Sequence, residues 1–113
     1  MKIVDWNELP ELGVSHDPSI KKKTLINRGE IPQLMMYGTA VFKPGQKVEL
    51  HKHDTMFEVF HIQTGKAVFT ISGKDYEVGP GKCITITPGE IHGQHNPFDQ
   101  NVTWTYFGIA TDK

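Results

Sequence analysis

The chain has 113 residues, with twelve Lys and Arg against thirteen Asp and Glu for a formal net charge of −1. That length is one domain, and the near-neutral balance argues against nucleic acid or an anionic membrane as a partner. Eleven Gly, seven Pro and a single Cys describe many short elements joined by turns, with no intrachain disulfide to hold them.

The opening MKIVDWNELP carries acidic residues and no long apolar run. It reads as neither signal peptide nor anchor, so a cytoplasmic protein is expected. KIVDW reads as an apolar first strand, within an N-terminal arm over residues 1–23. Pro and Gly punctuate residues 7–21, which leaves room for a short helical turn at most. Lys21, Lys22 and Lys23 read as a solvated loop or strand edge, since no Arg or aromatic residue surrounds them. The barrel core is expected over about 24–111.

LMMYGTAVF (34–42) is an apolar and aromatic strand ended by a Pro-Gly turn in KPGQ. KVELHKH (47–53) alternates, and EVFHIQT (58–64) is the returning strand, closed by Gly65. KAVFTI (66–71) and KDYEV (74–78) flank Ser72-Gly73, a hairpin signal. KCITIT (82–87) follows GPG, PGE makes a further turn, and NVTWTYFGIA (101–110) is the last long strand. Short antiparallel strands in one small domain make a sandwich or barrel, an all-β fold.

The ligand chemistry sits in GQKVELHKHDTMFEVFHIQTG (45–65). On a strand His51 and His53 project the same way, roughly 7 Å apart, and their imidazoles can converge on one ion. Glu58, beyond the corner DTMF, brings a carboxylate from the neighbouring strand. Two His and one carboxylate suit ferrous iron, and also manganese, nickel or zinc. His92, after the Pro-Gly turn of TPGEIHGQHN, is a fourth candidate. His95, three residues on, falls on the opposite face if the strand continues, and is a candidate base or rim residue. Gln94 shares parity with His92, and Glu49 with His51. His61 faces outward, Tyr37, Trp104 and Tyr106 read as packing residues, and Cys83 reads as a small buried hydrophobe.

These residues resemble the two motifs of the cupins, a family of small double-sheet jelly-roll β-barrels. The first motif, G-x5-H-x-H-x3,4-E-x6-G, is met by Gly45, His51, His53, Glu58 and Gly65. The second, G-x5-P-x-G-x2-H-x3-N, is met by Gly81, Gly89, His92 and Asn96, with Thr87 where Pro is usual and Pro88 directly after it. Fifteen residues (66–80) link the motifs. The resemblance implies a single cupin domain over 1–113, in which His51, His53, Glu58 and His92 hold one divalent metal (Fe, Mn, Zn or Ni). Four protein ligands leave one or two coordination positions for a substrate or dioxygen. It further implies a metal-dependent enzyme acting on a small organic molecule, with dioxygenase-like oxidation favoured. Isomerisation or lyase chemistry with His95 as base is the alternative, followed by small-molecule binding without turnover. Family members pair through an apolar first strand, so a homodimer is expected.

Overall fold

Along LMMYGTAVF and VTWTYFGIA the buried positions recur every second residue: Gly38, Ala40 and Phe42 on one, Val102 and Trp104 on the other. That alternation turns one face of each strand into the core and pairs the two strands at the centre of a sheet. The computed structural model describes residues 1–112. Its strands are β1 (Leu12–Gly13), β2 (Lys21–Ile26), β3 (Leu34–Phe42), β4 (Lys47–His51), β5 (Met56–Thr64), β6 (Ala67–Ile71), β7 (Lys74–Val78), β8 (Cys83–Ile86), β9 (His92–His95) and β10 (Val102–Ala110). They form a six-stranded sheet in the order β1-β2-β3-β10-β5-β8 and a four-stranded sheet in the order β4-β9-β6-β7, with every pairing antiparallel. This is the double-sheet jelly roll that the sequence implies.

The core lies between the sheets. Trp104 is its centre, with ring centroids 4.5 Å from Phe42, 5.6 Å from Phe69 and 5.8 Å from Phe60. Ile62, Ile86 and Val102 close around these rings, all fully buried. Ser72 and Gly73 both have positive φ, 50° and 82°, the two-residue turn that matches strand twist between β6 and β7.

The N-terminal region departs from expectation. KIVDW forms no strand; Trp6–Glu8 make a single 3-10 turn, capped by Asp5, whose carboxylate accepts the Asn7 N–H at 2.9 Å. The indole N–H of Trp6 donates to Thr39 Oγ1 at 2.7 Å, and Lys23 Nζ lies 3.9 Å from the Trp6 ring centroid. The segment around Trp6 is thus held against β2 and β3 by its side-chain contacts, and the backbone ladder of the arm begins only at β1, which pairs with β2. Lys21–Lys23 belong to β2, and Ile20 is fully buried in the core cluster, so the core reaches back before residue 24. Among the described residues, no helix is long and apolar enough to cross a membrane.

Candidate metal centre

One extra residue in β4 decides where His51 points. Lys47 pairs with His95 and Val48 with Gln94, but the next pairing is His51 with His92. Three steps along β4 therefore match two along β9, a β-bulge at Glu49-Leu50. The bulge reverses the alternation, so His51 joins the inward face of Val48 while Glu49 and Leu50 are exposed. This corrects the parity argument for Glu49: its side chain is 77% exposed and pairs with Lys47, away from the mouth.

β4 stops at His51, so His53 is carried by the corner that follows and not by the strand itself. The His53 carbonyl accepts the Gly89 N–H at 2.8 Å, and the Thr55 carbonyl accepts the Thr111 N–H at 2.8 Å, which fixes that corner. Gly89 has φ +83°, a conformation that side chains rarely adopt. A second tie joins Gly45 and Asn96, whose N–H and carbonyl bond at 2.7 Å. The two histidine-bearing segments are therefore fastened to each other at both ends.

Glu58 shares the inward face of β5 with Phe60 and Ile62. His92 opens β9 after the turn at 87–90. Thr87, the departure from the usual Pro, has work of its own there: its N–H and hydroxyl both donate to Glu90 Oε1 at 2.9 Å. A proline would supply neither donor. These bonds hold the Glu90 carboxyl below its ordinary range.

The four ligand atoms of His51, His53, Glu58 and His92 lie within 4.8 Å of one another. His92 is 1% exposed. Its Nδ1–H donates to the Glu90 carbonyl at 2.9 Å, and Nε2 lies 3.1 Å from Glu58 Oε1. His53 Nε2 lies 3.6 Å from the same oxygen. His51 Nδ1 is 2.8 Å from its own bulge carbonyl, that of Glu49. With Nδ1 of two rings tied to backbone carbonyls, Nε2 is the atom presented to the centre, the outer-shell arrangement that suits a histidine ligand. Burial works to lower the His92 pKa, but Glu58 and the Glu90 carbonyl outweigh it and the net shift is upward. His53 shifts downward, chiefly through burial. Three imidazoles and one carboxylate drawn this close, with Nδ1 of two rings already engaged, fit a divalent transition metal.

Above the cluster is a cavity of about 190 Å³. Its wall is mostly apolar, including Met35, Met56, Phe60 and Trp104. Tyr106 also lines it, stacked on Phe60 at 5.7 Å, and burial with the nearby Glu58 pushes its hydroxyl up to about 12. His16 is the residue that sequence reasoning missed. It sits on the strap between β1 and β2, lines the cavity, and brings its ring 4.6 Å from that of His51. Burial, then the neighbouring His51, lowers its pKa. Nothing in SHDP marks it, because the strap reaches the site only through tertiary contacts such as Gln46 Nε2 donating to the Ser19 carbonyl at 3.1 Å.

His95 does not join them. It is on the opposite face of β9 from His92, lining a separate shallow groove with Lys47, Glu49 and Thr70. A base there has no access to the cluster. Gln94 does face the cavity. His61 is exposed, as expected, but Cys83 is exposed too, because β8 is the outer strand of its sheet.

The sequence model of the family described as "Cupin domain" matches residues 38–108. A protein of Thermotoga maritima named "Oxalate-binding protein" is 40% identical over 53 residues, 47% of this chain and 44% of that protein. The matched segments are 44% and 46% of the curated relatives, so the chain aligns with less than half the length of each. Among solved structures, a protein described as a predicted oxalate decarboxylase from Thermotoga maritima superposes with a TM-score of 0.88 at 23% identity, covering 96% of this chain and 99% of that one. The polyketide cyclase RemF of Streptomyces resistomycificus gives 0.81 at 21% identity, covering 98% of this chain and 80% of that one. At these identities the structural likeness carries the fold alone.

Proposed function

Because this chain belongs to the cupin domain family, we propose that it is a metal-dependent enzyme acting on a small organic molecule, with His51, His53, Glu58 and His92 holding one divalent transition metal. The observation that carries this is the convergence of four suitable donors beneath a mostly apolar cavity. A metal bound there supplies a Lewis acid and, when it is iron, redox chemistry with dioxygen. The chain's own residues bind, orient and exclude water. The Glu49 and Glu90 carbonyls hold the rings of His51 and His92 in register, and Glu58 brings a carboxylate to the same point. Met35, Met56 and Phe60 shape a dry wall, and Lys22 in that wall offers an ammonium to an anionic substituent.

The cavity is smaller than those that take drug-sized ligands, so the substrate class is a small acid, diketone or enol. The name of the Thermotoga relative supports a small acid within that class. Oxidation is favoured over isomerisation, because the base assigned to His95 faces another groove. A proton-transfer reaction is the second reading, and one observation favours it: His16 brings a fourth imidazole to the site, on the cavity wall. The proposal extends to a homodimer acting in the cytoplasm.

Metal analysis and oxygen uptake test it. Purified protein should carry about one equivalent of transition metal, and the iron form should consume dioxygen with a member of a panel of small acids, diketones, catechols and thiols. No uptake across the panel would remove oxidation. Solvent-deuterium exchange into a bound acid that stops in His16→Gln would move the assignment to proton transfer. Tight binding with no product would leave a binding protein.

A further inference from the structure

Gln94 is the polar side chain of the cavity that the four-residue cluster leaves unexplained. It lies two residues beyond His92 on β9, on the same inward face, about 7 Å along the strand. It lines the cavity and is only 7% exposed. Its partners across the sheet are Val48 and Phe69, neither of which can hydrogen-bond through its side chain. Oε1 is buried with no hydrogen-bond partner. Turned over, the amide sets its NH2 in that place, a donor still without a partner in the protein and one that an anionic ligand oxygen completes. An apolar residue of similar length would fill the place without that cost. A polar group kept unpaired in the wall of a binding cavity marks a point where the ligand supplies the partner.

We propose that Gln94 is the specificity-determining residue of this cavity, its carboxamide N–H donating to a carboxylate oxygen of a small acid held at the cluster. The assignment rests on the site being a metal centre that takes such an acid. Two features select a carboxylate over a hydroxyl: the Lys22 ammonium in the same wall and the cation expected at the His/Glu cluster beneath. A neutral amide at this position reads the acid by hydrogen-bond geometry, where a charged residue would read it by charge alone.

The test is a titration of cobalt(II)-loaded protein with oxalate, followed by visible absorption, in the wild type, Gln94→Met and Gln94→Glu. Both variants should take up cobalt with wild-type stoichiometry. Gln94→Met should weaken oxalate at least about tenfold, and Gln94→Glu should abolish binding by repulsion. The melting temperature of metal-free Gln94→Met should equal or exceed that of the wild type, since an unpaired polar group has been removed. A drop of several degrees would make Gln94 a structural residue and overturn the assignment. Unchanged oxalate affinity in Gln94→Met would overturn it too, leaving the metal centre intact. A wild type that takes up no cobalt would sink the metal centre itself. A wild type that binds cobalt but shows no response to oxalate would sink the ligand class and the role of Gln94 together.

Discussion

His92 is a fully enclosed imidazole that nevertheless holds its proton more tightly than a free one, because Glu58 and the Glu90 carbonyl both take hydrogen bonds from it. A metal must displace that proton. Affinity should therefore fall as pH drops through and below the raised His92 value, by roughly tenfold per pH unit for each proton displaced. Competition with a coloured chelator between pH 8 and pH 5.5 would measure it. Stability of the metal-free protein runs differently. A raised His92 contributes stability that is complete below its unfolded pKa and is lost as pH rises through the folded one. The lowered His53 and His16 act in the opposite sense, losing stability as pH falls through the unfolded value. The melting profile should thus be flatter than the affinity profile. Replacing a ligand removes the centre directly: His51→Ala or Glu58→Gln should lower metal affinity at least about a hundredfold with circular dichroism unchanged. Normal metal content in either variant would refute the ligand assignment.

The strands β3, β7 and β10 were legible to within a residue, because alternation and turn residues bound them on both sides. The cluster of His51, His53, Glu58 and His92 was legible from spacing. What spacing hid was the mechanism of convergence. No residue type in KVELH announces a bulge at Glu49-Leu50, and that bulge alone reversed the expected orientation of Glu49. The strap residue His16 was hidden for a related reason, since loops reach a site by tertiary contact and leave no period in the sequence. Two substitutions probe the elements that frame the centre. A Cβ at Gly93 would meet the Val48 carbonyl oxygen at 2.7 Å, so Gly93→Ala should push β9 from the bulge. It should cost roughly 1–3 kcal/mol and weaken metal binding along with stability. Asn96, fully buried, donates to the Phe42 and Gln100 carbonyls and accepts the Phe98 N–H. Asn96→Ala leaves those backbone groups unpaired and should cost about 3 kcal/mol by denaturant unfolding. This last motif residue serves architecture, and the chemistry lies with its neighbours.

At the scale of the whole molecule, several large apolar side chains in the first third of the chain are exposed. Ile3 is 82% exposed, Trp6 43%, Leu12 46% and Ile31 48%. KIVDW supplies no strand edge, so pairing through an added strand loses its basis; the exposed side chains themselves are the surface a second copy would cover. Sedimentation should give twice the chain mass, and Ile3→Asp with Trp6→Asp should shift it to one. A wild type that sediments as a monomer at micromolar concentration would end that expectation. The hairpin turn at Ser72-Gly73 has a different consequence. It lies in the single covalent link between the two fastened halves, with His51, His53 and Glu58 upstream and His92 downstream. Cut there, the chain yields two fragments of which neither holds a full ligand set, and the colour of added cobalt would report whether they find each other again.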